Sequence, residues 1–155
     1  LTEGGPVFFV QKRVGRGGRV FRMHKFRTMR PNSPTYAPTP QDESDPRVTP
    51  VGRWLRRTSL DEIPQLWNVL KGDMSLVGPR PEMPFIVSRY NEAHRQRLNV
   101  KPGLTGLWQI SPDRALAIHE NMDYDLYYIR NQSQLLDLAI MAKTVTAVLR
   151  GQGAF

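Results

Sequence analysis

The sequence predicts an α+β fold: one mainly helical domain, spanning residues 1–155, with a small N-terminal β-hairpin. Two short, aromatic-rich, β-prone runs, Val7-Phe8-Phe9-Val10 and Val20-Phe21-Arg22-Met23, flank the glycine-rich stretch Gly15-Arg16-Gly17-Gly18, which is the pattern of a hairpin. Downstream, apolar residues recur at helical spacing, and strands do not alternate with helices as a doubly wound sheet would require. At 155 residues the chain has the length of one domain with a real core.

Taken in order, the hairpin is followed by a loop over Pro31 to Pro46, rich in proline and small polar residues, which could act as a lid. From Val51 to Leu70 the residues Trp54, Leu55, Leu66, Trp67 and Leu70 predict two short helical pieces, interrupted near Thr58-Ser59 and Pro64. A turn-rich stretch follows, marked by Gly72, Gly78, Pro79, Pro81 and Pro84. Phe85 to Leu98 then reads as one basic amphipathic helix that stops before Pro102-Gly103. Tyr124 to Tyr128 and Leu135 to Leu149 read as the closing helices, with Gly151 near the stop.

Composition narrows the function classes. Cysteine is absent, so disulfides, thiolate metal sites and cysteine nucleophiles are excluded, and a reducing compartment fits. No run reaches the roughly 18 apolar residues of a membrane span. The chain opens at Leu1 without an initiator Met, so it is expected to be part of a longer protein, in which a membrane anchor could lie upstream. A formal charge of +8 calls for anionic partners, and Lys12 to Arg30 holds eight lysines and arginines and no acid. His24, His94 and His119 lack the spacing of a zinc site.

The densest chemistry lies in TSLDEIPQLWNVLKGDMSLVGPRPE, Thr58 to Glu82. Its centre is the adjacent pair Asp61-Glu62: one carboxylate can attack phosphorus while the other holds a hard cation. Alternatively, Ser59-x-x-Glu62 is a capping box. Pro64 argues for a new helix starting there, which leaves Asp61 and Glu62 at a helix boundary. Arg80, stiffened between Pro79 and Pro81, is either a phosphate fork or a surface arginine. Lys25 and Arg27 share a strand face opposite Phe26, either lining an anion pocket or facing solvent. Asp137, among leucines, must face solvent or meet a cation. A nucleic-acid-binding hairpin, or a membrane-surface module using the Phe85 to Leu98 helix, would also account for the charge.

Together the segments GGPVFFVQKRVGRGGRVFRMHKFRTM (Gly4 to Met29), DPRVTPVGRWLRRTSLDEIPQLWNVLKGDMSLVGPRPE (Asp45 to Glu82), VKPGLTGLWQ (Val100 to Gln109) and the tail Leu135 to Ala154 resemble the bacterial sugar transferases. These are monotopic phosphoglycosyl transferases that prime glycan assembly on undecaprenyl phosphate. The resemblance implies Asp61 as nucleophile, Glu62 as Mg²⁺ ligand, and Lys25, Arg56, Arg80 and Asp137 as charged companions. It also implies a UDP-sugar donor, a polyprenyl phosphate acceptor and a site at the cytoplasmic face of the inner membrane, with no role for nucleic acid. Family members usually carry an N-terminal hydrophobic segment that dips into the membrane. Where many relatives have a Gly-Arg turn, this chain has Ser111-Pro112-Asp113-Arg114, which makes Arg114 a candidate contact to the nucleotide-sugar.

Overall fold

A computed structural model describes residues 5–34, 40, 44–115 and 122–150, with the side chains of Arg114 and Ala115 left undescribed. The predicted hairpin is present. Strands β1 (Phe8–Val14) and β2 (Val20–Phe26) pair antiparallel, from Phe8 opposite Phe26 to Val14 opposite Val20. The connecting turn puts Gly17 at φ 66° and Gly18 at φ 79°, in the left-handed region where a Cβ is penalised. Alternation sends Gln11, Phe21 and Met23 inward, while Phe8 and Phe26 stack on the outer face with centroids 5.5 Å apart.

Half of the predicted Pro31 to Pro46 loop, residues 35–39 and 41–43, lies outside the described residues, and the proposed lid with it. Its base is closed by the Met29–Val48 bridge and by the Arg30 amide donating to the Arg47 carbonyl at 2.8 Å. Helix α1 (Pro50–Arg57) starts where its sequence prescribes: Pro50 occupies the first turn and the Thr49 hydroxyl accepts from the Gly52 amide at 2.9 Å. Gly52 is required by contact, since a Cβ there would stand 2.0 Å from the Thr28 carbonyl oxygen.

The interruption between the two helical pieces is also present. After α1 the chain passes through Ser59 at φ 55°, makes a 3-10 turn over Leu60–Glu62, and enters α2 (Gln65–Leu70) behind Pro64. Ser59 makes no side-chain cap bond, so the capping-box reading fails. A left-handed Ser59 is committed to reversing the chain and does not cap the 3-10 turn.

Helix α2 guards the edge of the hairpin. Asn68, 0% exposed, accepts from the His24 amide at 3.1 Å and donates to the Arg22 carbonyl at 2.7 Å. Its carboxamide thereby takes the pair of backbone groups that a third strand would take.

Two elements differ from expectation. The single helix predicted over Phe85 to Leu98 is broken into α3 (Pro84–Val87), α4 (Glu92–Arg95) and a 3-10 turn Gln96–Asn99. Asn91 is the reason: its side chain accepts from the His94 amide at 2.9 Å and starts a new helix. There is also a second, parallel ladder of β3 (Ser75–Val77) and β4 (Gly103–Thr105), which no periodicity announced. Three residues a side are too few to show alternation. Backbone proximity marks it instead, because a Cβ on Gly103 would lie 2.1 Å from the Gly78 nitrogen.

The chain closes with α5 (Asp123–Arg130) and α6 (Gln134–Leu149), the latter capped by Ser133; Gly151 lies outside the described residues. Three apolar clusters join the layers: Val14 with Val87, Tyr90 and Met122; Phe21 and Met23 with Met74; and Val77 with Tyr128 and Ile140. No helix among the described residues is long and apolar enough to cross a membrane. Replacing Asn68 with Leu preserves volume but strands two backbone groups, and is expected to lower stability by about 2–4 kcal/mol in urea unfolding.

Candidate active site

Lys25 stands near the end of β2 on the face toward the Leu60–Glu62 turn. Its Nζ donates to Glu62 Oε1 at 2.6 Å, and the Arg80 guanidinium donates to the same oxygen at 2.9 Å. Asp61, one residue earlier, is only 3% exposed. Its Oδ1 has no hydrogen-bond partner among the described residues. Arg56, buried on α1, donates through Nε to the Thr28 hydroxyl at 3.0 Å and acts electrostatically on Asp61. The fold thus gathers Lys25, Arg56, Asp61, Glu62 and Arg80 from four separate segments.

The two neighbouring carboxyls are driven apart. Burial pushes Asp61 up from the usual carboxylate range; Lys25 pulls it back, the Glu62 charge raises it further, and Arg56 and Arg80 pull it down by less. Burial would raise Glu62 too, but Arg80 and Lys25, through charge and hydrogen bonds, hold it well below that range. Burial lowers the Lys25 ammonium, an effect Glu62 partly offsets. Glu62 is therefore the fixed anion and Asp61 the more basic oxygen, a division of labour suited to attack by one and anchoring by the other.

Arg80 is mounted with unusual completeness. The carbonyls of four successive residues are each taken by a different donor. The Gly103 amide reaches Pro79 at 2.9 Å and Arg97 Nη2 reaches Arg80 at 2.7 Å. Arg13 Nη1 reaches Pro81 at 3.3 Å and the Val14 amide reaches Glu82 at 2.9 Å. The Arg80 side chain is 31% exposed, and its guanidinium is directed at Glu62.

Arg27 stays near the Lys25 face, 5.7 Å over the Phe9 ring, but gives its donors to the Pro6 and Phe8 carbonyls. Asp137 meets a phenol where solvent or a cation was expected. Half-buried in the first turn of α6, it accepts from Tyr128 at 2.8 Å, and its described contacts do not include the five gathered residues. Arg114 falls on the turn Pro112–Ala115, and its side chain lies outside the described residues. Sequence reasoning missed Arg13, Arg97 and Asp125. Arg97 sits in a run of basic and polar residues with nothing to set it apart, and only its burial identifies it.

Among the described residues no three carboxylates or imidazoles converge to cage a metal. Mg²⁺ does not need a cage, since it keeps waters and binds through one or two carboxylates plus substrate phosphate. Lys25 and Arg80 both occupy Glu62 Oε1, so Oε2 carries no donor among the described residues, and Asp61 Oδ1 likewise carries none. The open Glu62 Oε2 is a hard oxygen that fits that ion, which leaves Asp61 Oδ1 unengaged.

The site is thus a cluster of three basic side chains, Lys25, Arg56 and Arg80, gathered around a carboxylate pair. Comparison with known proteins gives the family: the model described as bacterial sugar transferase matches residues 1–151, and the chain belongs to that family. It is 43% identical over 168 residues to an undecaprenyl-phosphate galactose phosphotransferase of Salmonella typhimurium, covering 99% of this chain and 35% of that one. It is 42% identical over 160 residues to a UDP-N-acetylgalactosamine-undecaprenyl-phosphate N-acetylgalactosaminephosphotransferase of Aeromonas hydrophila, covering 99% and 38%. An exopolysaccharide production protein of Sinorhizobium fredii is 38% identical over 170 residues, covering 100% and 75%. The chain therefore spans little more than a third of the first two relatives and three quarters of the third.

The shifts have a thermodynamic sign. A carboxyl whose folded pKa is raised lets the unfolded state ionise first, so this group withdraws stability as pH rises from the ordinary carboxylate pKa through the raised one. Asp61→Asn removes that penalty. Its stability relative to the wild type is expected to improve as pH rises above about 4, the ordinary carboxylate pKa, in parallel urea titrations; a flat difference would contradict the burial of an ionisable Asp61.

Proposed function

We propose that this domain transfers a sugar 1-phosphate from a UDP-sugar to polyprenyl phosphate, as the priming step of exopolysaccharide, O-antigen or related glycan synthesis. The observation that carries the reading is Asp61 Oδ1, buried, without a donor, and surrounded by Lys25, Arg56 and Arg80 beside an anchored Glu62.

The Asp61 oxygen attacks the sugar-bearing phosphorus of the donor. As the new O–P bond forms, the bond to the bridging oxygen breaks and UMP leaves with the electron pair. A phosphate oxygen of the polyprenyl acceptor then attacks the same phosphorus, releasing the Asp61 carboxylate and forming a polyprenyl-diphosphate sugar. Lys25, Arg56 and Arg80 are held before substrate arrives, so the charge building on the phosphoryl oxygens meets cations that need no reorganisation. Glu62, through its open oxygen, would hold Mg²⁺, which would supply further neutralisation of phosphate charge.

Support for a lipid acceptor comes from the surface around Asp61. Trp54 on α1, Ile63 beside the turn, and Leu66, Trp67 and Leu70 on α2 are all exposed, and Arg53 and Arg57 on α1 are exposed as well. Aromatic and basic side chains set together in this way suit the headgroup level of a bilayer, and the site is proposed to work at the cytoplasmic face of the inner membrane. The names of the Salmonella and Aeromonas relatives carry the same acceptor.

With polyprenyl phosphate in detergent and a panel of UDP-sugars, the full-length protein is expected to release UMP in the presence of Mg²⁺ and to stop on chelation. Donor alone should leave a phosphosugar adduct visible by intact mass. Asp61→Asn should form no adduct and lose at least about 10³-fold in turnover; an active Asp61→Asn protein would refute the nucleophile.

A further inference from the structure

The buried cluster beneath Arg80 has no part in the proposed chemistry, yet Arg97 within it bonds through all three of its guanidinium nitrogens. Arg97 is 5% exposed and Asp125 1%. Arg97 uses all three nitrogens: Nε donates to Asp125 Oδ2 at 2.8 Å, Nη1 to the Tyr90 hydroxyl, and Nη2 to the Arg80 carbonyl at 2.7 Å. A buried ion pair is a weak source of net stability, because desolvation consumes most of its attraction. What it provides here is direction. The guanidinium is planar, so holding one edge on Asp125 and Tyr90 fixes where the remaining N–H points.

That remaining N–H acts on the one soft joint of the segment. Pro79 and Pro81 have fixed φ, and Arg80, preceding a proline, is excluded from the helical region. The proline restraints by themselves leave the tilt of the Arg80–Pro81 peptide plane unset, and Arg97 Nη2 fixes it by holding the carbonyl at 2.7 Å. The side chain leaving the same residue places its guanidinium 2.9 Å from Glu62 Oε1. Rotation of that peptide would carry the guanidinium away from the carboxylates.

We infer that Arg97, braced by Asp125 and Tyr90, is a positioning residue that sets the aim of Arg80 through its carbonyl; this rests on the proposed phosphosugar transfer. Arg97 touches none of the reacting groups, and its influence passes through Arg80 alone. Lysine cannot replace it, since one ammonium cannot reach Asp125, Tyr90 and the Arg80 carbonyl in the same plane.

The test is a double-mutant cycle in the full-length protein, reading the single-turnover rate of phosphosugar adduct formation by intact mass together with KM for the donor. Arg97→Lys in the wild-type background is expected to slow adduct formation about 10-fold with KM changed less than about 2-fold. In an Arg80→Ala background, where the carbonyl remains and the guanidinium is gone, the same change should slow it less than about 2-fold. Equal losses in both backgrounds, or no loss in either, would overturn the inference. If Arg97→Lys does not fold, Tyr90→Phe removes one brace while leaving the ion pair, and the same cycle with that variant decides. A wild-type protein that never forms the adduct would instead sink the transfer reaction itself, leaving its result separate from that of the cycle.

Discussion

Glu62 holds the site together because it can remain ionised in its half-buried position only while Lys25 and Arg80 both face it. Those two cations come from different parts of the chain, one from the hairpin and one from the proline-flanked segment, and they converge on a single oxygen. The constraint runs both ways. Two cations brought this close would repel each other without the carboxylate between them, so the hairpin, the 3-10 turn and the Pro79–Glu82 segment are locked by one shared charge.

The surrounding fold supplies the rigidity this arrangement needs. Asn68 ties α2 to the edge of β2, so Lys25 cannot drift from the turn that carries Glu62. Ser59, left-handed, reverses the chain sharply enough to bring Asp61 inward immediately after α1. On the other side, four donors hold four consecutive carbonyls, leaving Arg80 no slack. One cost falls at Asp61, whose buried Oδ1 lacks a donor among the described residues. Stability surrendered at such a position is what a preorganised reactive group ordinarily requires.

Where expectation and structure part, the cause is local chemistry overriding a pattern. The basic amphipathic stretch Phe85 to Leu98 has helical spacing throughout, but Asn91 satisfies the next turn's amides with its side chain and divides it. Asp137 lies among leucines, which implied solvent or a cation. A phenol on the neighbouring helix serves, because Tyr128 can donate one hydrogen bond without bringing a charge indoors.

By itself the sequence determined the hairpin, the break between α1 and α2, the placement of Asp61 and Glu62 at that break, and the stiffness around Arg80. All of these follow from glycine, proline and capping chemistry acting over a few residues. It also carried motifs long enough to reveal the family. Only the tertiary structure decided that Lys25, Arg56 and Arg80 meet at one pair of carboxylates, that the capping-box alternative fails, and that Arg97 and Asp125 lie buried beneath the site. Those outcomes depend on contacts between segments far apart in the chain, and on burial. A residue's own neighbours in sequence carry no record of either.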